Sequence, residues 1–273
     1  MDVDVGFIYT HERNFMTPLV SSLAQSAHGV SMRMILVDNA SDDGVDEWRH
    51  AVPGTIVVRN NRRLGYAANL NRILEASTAR YALLMNTDMY FVPAEQCVAK
   101  MVRFMDAHPD CGVSGCRLYR PDGSFGFPAR RFQTLKTIAA RRLGMPRLYR
   151  DTVNSYLYRD KPHDSIFECD WLSGCFLMVR RQALAEVGRL DERFRKYFED
   201  VDFCLRTALA GWRVMMNGQT WCYHLEQRAS RKLFSKDALL HLHSYLRWLA
   251  KWGLHPERNI RRIPREEPAR RAA

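Results

Sequence analysis

A chain of 273 residues, 47% of them hydrophobic and 26% charged, is long enough to bury a full core and too balanced for a disordered, fibrous or collagen-like protein. The formal net charge of +11 asks for an anionic partner, with a membrane surface and a nucleic acid as the two obvious ones. Met1 to Thr10 lacks a signal-peptide pattern, no apolar run is long enough to span a bilayer, and the seven cysteines contain no C-x-x-C pair. These features predict a cytoplasmic protein with reduced thiols and no zinc site.

The first 118 residues alternate short apolar runs with helical patterns. Val3 to Thr10, Met32 to Asp38, Thr55 to Arg59, Tyr81 to Asn86 and Cys111 to Leu118 read as strands; Phe15 to Ala27, Tyr66 to Ala76 and Pro93 to His108 read as helices between them. This rhythm predicts an α/β fold, a mostly parallel Rossmann-related sheet with helices on both faces. After the turn Pro121-Asp122-Gly123 the rhythm is lost from Ser124 to Glu168. That excursion holds Arg130, Arg131, Lys136, Arg141, Arg142, Arg147 and Arg150 with no acid among them and apolar residues between. Regular structure resumes with a strand at Cys175 to Arg180, a short helix at Gln182 to Val187, a helix starting near Glu199, and strands at Val214 to Met216 and Trp221 to His224. An amphipathic helix is expected from Ser235 to Trp252, followed by a tail with Arg258, Arg261, Arg262, Arg265, Arg270 and Arg271. The expected division is a main domain over residues 1–233, with the basic excursion 124–168 inside it, and a C-terminal helix and basic tail over 234–273. Bases mixed with apolar residues suit an anionic membrane surface, bases alone suit nucleic acid, and either cluster equally fits a solvated helix face.

In open α/β sheets ligands bind beyond the carboxyl ends of the strands. Here those ends are polar: Thr10, then Asp38-Asn39-Ala40-Ser41, then Asn86-Thr87-Asp88. Asp38 offers an acceptor for the imide N–H of uracil or thymine or for the N–H edge of guanine, and it equally fits an Asx turn. No G-x-G-x-x-G follows the first strand and no P-loop occurs, which argues against dinucleotide oxidoreductases and P-loop enzymes. A bound nucleoside diphosphate then needs positive charge from elsewhere. Asp88 supplies it by holding Mg²⁺ or Mn²⁺, with His224 as a second ligand; the plainer readings are a turn residue and a polar strand end. Glu199 and Asp200 open a helix behind two aromatic residues, where they either cap the helix or accept a proton from an attacking hydroxyl.

Five segments in order, "VDNASDDG", "LLMNTD", "DWLSGCFLMVRRQAL", "VGRLDERFRKYFEDVDFCLRTALAGWRV" and "WCYHLEQRAS", together resemble the inverting glycosyltransferases of family 2, in the rhamnosyltransferase-like subgroup. The resemblance runs from about Val5 to Trp252. It implies a GT-A fold and transfer of a hexose or deoxyhexose, such as rhamnose, from a dTDP- or UDP-sugar donor to a saccharide or lipid-linked glycan acceptor with inversion. By position it implies Asp200 as general base, Asp88 and His224 as ligands of a divalent cation, and Thr10, Glu12, Asp38 and Asn86 on the donor nucleotide. It places Trp171, Ser173, Gly174 and Glu199 on the acceptor side. The chain departs from the family pattern in three places: Thr10-His11-Glu12 replaces T-Y-N, Asn86 takes the first position of D-x-D, and Arg63 stands where an Asn is usual. The competing readings are a sugar-nucleotide pyrophosphorylase, which would carry a glycine-rich loop after the first strand, and a nucleic-acid-binding protein using its arginine clusters. The implied location is the cytoplasm, peripherally on the cytoplasmic membrane face.

Overall fold

The apolar runs early in the chain become the middle of a sheet that is buried on both faces. In a computed structural model, which describes residues 1–142, 149–225 and 236–260, the strands are β1 (Val3–Tyr9), β2 (Met32–Asp38), β3 (Ile56–Arg59), β4 (Tyr81–Met85), β5 (Met89–Tyr90), β6 (Cys111–Tyr119), β7 (Ala129–Arg130), β8 (Ile166–Glu168), β9 (Trp171–Leu172), β10 (Phe176–Arg180) and β11 (Arg213–His224). The helices are α1 (Arg13–Gln25), α2 (Tyr66–Ala76), α3 (Cys97–Ala107), α4 (Leu135–Arg142), α5 (Arg150–Tyr156), α6 (Arg181–Val187), α7 (Glu199–Leu209) and α8 (Lys236–Trp252). The main sheet has the order β3-β2-β1-β4-β10-β6-β11-β5, with β8 also paired to β11, and β7 and β9 form a separate pair. The pairs from β3 to β4 are parallel, as is β6 with β11, while β10 runs antiparallel between β4 and β6. The expected mostly parallel α/β sheet is therefore present, with an inserted antiparallel strand.

Helices cover the two faces. Met16, Leu19, Val20 and Leu23, spaced to one side of α1, join α3 on one face. On the other, α2 closes onto β1 because Gly6 has no side chain: a Cβ there would come within 2.0 Å of Ile73 Cγ2. Trp248 and Tyr245 of α8 are buried in this second face, stacked near Phe132 and Phe198, so α8 belongs to the same core. A fully buried acid in β1, Asp4, is matched by Arg33 at 2.8 Å and 2.9 Å and by the N–H groups of Thr78 and Ala79.

Three sequence expectations change. The two strands expected at Val214 to Met216 and Trp221 to His224 are one, β11, with a register shift between Asn217 and Trp221 where the apolar pattern lapses. The excursion 124–168 contains β7, α4, α5 and β8, elements too short to show a period. The cysteines, distant in sequence, are not all apart in space: Cys97, Cys116 and Cys222 meet in the core with Sγ separations of 3.8 Å and 3.7 Å for the two neighbouring pairs. Arg147, the Ser235 start of the last helix, and Arg261 through Arg271 lie outside the described residues, and of Arg141 and Arg142 only the backbone is described.

Candidate active site

One wall of the crevice comes from the ends of β1 and β2. Asp38 closes β2, and its Oδ1 accepts the Ser41 N–H at 2.8 Å, so the Asx turn forms. Its Oδ2 has no hydrogen-bond partner among the described residues, so the turn and a ligand can share this carboxylate. Behind it Asn39 Oδ1 accepts the Leu64 N–H at 2.8 Å and Asn60 Nδ2 at 3.2 Å, and Asn60 Nδ2 also donates to Asn69 Oδ1 at 2.6 Å. This asparagine network pins the loop that leads into α2. Glu12 Oε2 accepts the N–H groups of Thr10 at 2.7 Å and His11 at 3.1 Å, so one oxygen of this residue shapes the loop after β1 and only Oε1 is left for a donor. Arg63 and His11, the two departures from the family pattern, meet each other: Arg63 Nη2 lies 2.6 Å from His11 Nε2. A guanidinium can only donate, so Nε2 accepts and the ring proton sits on Nδ1, facing Asp42 and Asp43 at 3.5 Å each.

The centre is built by a short antiparallel pairing. After β4 the chain turns at Asn86-Thr87-Asp88 into β5, which pairs with the end of β11 as Met89 to His224. The Leu225 N–H donates to the Asp88 carbonyl at 2.8 Å, and Asp88 Oδ1 and His224 Nε2 stand 3.2 Å apart. Burial pulls the His224 pKa down, but the Cys175 sulfur and the Asp88 carboxylate outweigh that and push it up to about 11. As it stands the pair is a salt bridge; once the imidazole gives up its proton, one carboxylate oxygen and one imidazole nitrogen would be a donor set that suits Mn²⁺ and, less well, Mg²⁺.

Asp200 reaches the same crevice from the start of α7. Its Oδ2 accepts the Gly174 N–H at 2.8 Å and its Oδ1 the Val201 N–H at 2.8 Å. Tyr66 joins the two halves: its hydroxyl lies 2.8 Å from Asn86 Oδ1 and 3.2 Å from the Gly174 carbonyl. A chain of contacts therefore runs from the Asn86 turn through Tyr66 and Gly174 to Asp200. Glu199 is buried, and its Oε2 has no hydrogen-bond partner among the described residues. Burial, with the Asp200 charge adding to it, holds the Glu199 carboxyl well above the usual range. Burial also pushes Asp200 up, while the Gly174 and Val201 amides and the charge of Arg130 pull it back. Just before them Tyr197 and Phe198 sit at φ 70° and 72°, the left-handed region, where a bulky side chain costs of order 1–3 kcal/mol each.

Trp171, expected on the acceptor side, does not present a free face. It is 3% exposed, its Nε1 donates to the Arg131 carbonyl at 2.7 Å, and the Arg130 guanidinium stacks 4.8 Å from its ring centroid. A cavity at the ends of β6, β7 and β11 is reached by Arg130 rather than by Trp171. From the sequence Arg130 reads as one of a run of bases without acids and Tyr66 as the start of a helix. A base directly opposite a buried Trp in a two-residue paired strand has no period to single it out. Ser173 lines the same cavity with Cys175 and His224.

The fold and site together define a glycosyltransferase: the chain belongs to glycosyl transferase family 2, whose model matches residues 7–188. It is similar to the N-acetylglucosaminyl-diphospho-decaprenol L-rhamnosyltransferase of Mycobacterium tuberculosis, 26% identical over 226 residues that cover 78% of this chain and 73% of that protein. Rhamnosyltransferase WbbL of Escherichia coli K12 is 35% identical over 105 residues, 37% of this chain and 40% of that one. In fold it resembles mannosyltransferase PcManGT of Pyrobaculum calidifontis, solved with GDP-Man and Mn²⁺, at a TM-score of 0.62 and 19% identity over 93% of this chain and 68% of that chain. GalNAc-T7, solved with UDP, GalNAc and Mn²⁺, gives a TM-score of 0.63 at 14% identity over 92% of this chain and 48% of that chain. The sheet is thus of the GT-A kind, and the chain is a rhamnosyltransferase-like member of its family.

Proposed function

We propose that the protein transfers a hexose or deoxyhexose, rhamnose in the first instance, from a dTDP- or UDP-sugar to a hydroxyl of a saccharide or lipid-linked glycan, with inversion. The observation that carries this reading is the contact chain Asn86–Tyr66–Gly174–Asp200, which holds a carboxylate with spare acceptor capacity across the crevice from Asp88 and His224. The names of the sequence relatives support rhamnose and a lipid-linked acceptor.

Asp38 Oδ2 accepts the N–H of the pyrimidine, Ser41 and the Thr10 loop enclose the nucleoside, and Asp88 with His224 holds a divalent ion. With an ion bound there, the site would gain Lewis-acid stabilisation for the departing diphosphate. The acceptor hydroxyl attacks the anomeric carbon from the face opposite the diphosphate; the new C–O bond forms as the bond to the phosphate oxygen breaks, and Asp200 takes the hydroxyl proton. Burial of Glu199 disfavours a second negative charge beside the base, and the turn at Tyr197 and Phe198 holds both acids at the start of α7. A screen of dTDP- and UDP-sugars with Mn²⁺ and a lipid-linked N-acetylglucosamine, read by product stereochemistry in NMR, tests this; no transfer with any donor, or retention at the anomeric carbon, would overturn it.

Residence on the cytoplasmic membrane face is part of the same reading. Opposite the buried Tyr245 and Trp248, α8 exposes Leu239, Leu242 and Leu246 at 68%, 49% and 56%. Among the described residues no helix is long and apolar enough to cross a membrane. A leucine row followed in the sequence by basic residues suits anionic lipid surfaces, at about 1 kcal/mol per base near the surface. Equal sedimentation with neutral and anionic vesicles would remove this part.

A further inference from the structure

We propose that Cys97, Cys116 and Cys222 form a Zn²⁺ site inside the core, distinct from the Asp88–His224 pair and independent of the glycosyl transfer proposed above. The ion ties the start of α3 to β6 and to the end of β11, and its role is to hold the fold rather than to take part in turnover.

All three side chains are fully buried. Cys97 Sγ lies 3.8 Å from Cys116 Sγ, Cys116 Sγ lies 3.7 Å from Cys222 Sγ, and the three sulfurs all fall within 4.8 Å of one another. Thiolates bound to Zn²⁺ at about 2.3 Å stand about 3.8 Å apart across a tetrahedral angle. The two short separations are those of adjacent corners, and the third edge needs to close by about 1 Å at most. The alternative is packing alone, since a buried thiol behaves as a small hydrophobe. Two features favour the ion. The sulfurs come from three elements, 19 and 106 residues apart for the neighbouring pairs, and converge on one point. Oxygen donors also stand against them: the fully buried Thr220 is a hydrogen-bond partner of Cys97 and donates through Oγ1 to Glu95 Oε1 at 2.8 Å, and Lys100 Nζ lies 3.0 Å from the same oxygen. Apolar packing gains nothing from a hydroxyl and a carboxylate beside the sulfurs, whereas an ion held by three thiolates takes a fourth ligand and ordered groups behind it.

On binding, three S–H groups give their protons to solvent as three Zn–S bonds form, and no electron changes hands. Soft thiolates select Zn²⁺, while the Asp88 carboxylate suits the harder Mn²⁺ and Mg²⁺, so the two sites sort ions by ligand type. The C-x-x-C pattern that the sequence lacks marks only ligands that are neighbours along the chain. These three become neighbours through the pairing of β6 with β11 and the core that α3 shares with both.

The test uses the full chain, purified reduced and freed of metal by a chelator, with excess Mg²⁺ present and Co²⁺ added as an optical stand-in for Zn²⁺. A thiolate-to-cobalt charge-transfer band is expected in the near ultraviolet, saturating at a single equivalent and removed by Zn²⁺. Zn²⁺ at about 100 times its Kd should raise the melting temperature by about 5 °C or more. Cys116→Ala and Cys222→Ala are each expected to weaken Co²⁺ binding about a hundredfold or more. Cys97→Ser, nearly isosteric and at a helix start, should do the same if either alanine variant fails to fold. Cys175→Ala, which removes the sulfur beside His224, should keep both the band and the affinity. A wild-type chain that shows no such band overturns the site without recourse to any variant. A band kept in Cys116→Ala and Cys222→Ala but lost in Cys175→Ala places the ion at the crevice and overturns it equally. No readout here involves turnover, so the result stands or falls apart from the glycosyl-transfer reading.

Discussion

The two sides of α7 treat neighbouring acids in opposite ways. On the side covered by α8, Asp202 is fully enclosed and fully matched: Arg206 Nε at 2.8 Å, Lys251 Nζ at 2.6 Å and Trp252 Nε1 at 2.7 Å all donate to it. On the crevice side, Asp200 takes two amides and keeps acceptor capacity, and neither Glu199 Oε2 nor Arg130 Nε has a hydrogen-bond partner among the described residues. A buried polar group with every bond made holds the fold, whereas one left short costs stability and is retained where a ligand completes it. Within "EDVD" the sequence alone does not tell these aspartates apart.

The sharpest way to break the comparison is at the ion pair of the crevice. EDTA is expected to abolish turnover and Mn²⁺ to restore it, with Asp88→Ala inactive under both conditions; full activity in EDTA would show that the Asp88–His224 pair needs no ion. On the other side of α7, Asp202→Ala leaves Arg206 without its carboxylate, Trp252 Nε1 without its acceptor and Lys251 with Asp191 alone, and is expected to cost about 3–5 kcal/mol. Denaturant unfolding measures it, and early proteolysis at α8 should accompany it. A loss below about 1 kcal/mol would mean that α8 is held without the Asp202 contacts, by Trp248, Tyr245 and the bonds of Ser244 and Lys251 to Lys196 and Asp191. Asp38→Ala is expected to weaken UDP and dTDP binding by about 1.5–3 kcal/mol, the scale of a hydrogen bond to a charged group; unchanged calorimetric affinity removes Asp38 from the nucleotide.

The smallest expected effect concerns Glu199→Gln. Because burial raises the Glu199 pKa in the folded state, its contribution to stability is present below the unfolded value and is lost as pH rises through the folded one. Gln has no such loss. The melting temperatures of the variant and the wild type should therefore coincide in acid and separate in the variant's favour as pH rises; a gap that is constant or shrinks with pH would show that Glu199 is not held protonated.

Much of this arrangement was legible in the residues. The first four strands, α2 over Tyr66–Ala76 and the polar strand ends appear where the apolar periods place them, because buried parallel strands are nearly continuous apolar runs. Asp38, Asp88 and His224 were legible for the same reason, as polar residues that close such runs. What stayed hidden has no period: two-residue strands such as β5 and β7, the antiparallel placement of β10, and the three cysteines that meet from α3, β6 and β11. Tyr66 and Arg130 were missed because their meaning lies in partners far along the chain, Gly174 for one and Trp171 for the other.

The central claim is that Asp200 does chemistry and Asp202 does not, and paired isosteric variants test it in one experiment. Asp200→Asn keeps size and packing but loses proton acceptance, so kcat should fall by about 10²–10⁴-fold with the melting temperature and UDP or dTDP affinity nearly unchanged. Asp202→Asn should lower the melting temperature while the folded enzyme retains its kcat. Normal turnover by Asp200→Asn, or a loss of activity that only follows its unfolding, would make Asp200 a helix cap and contradict the account.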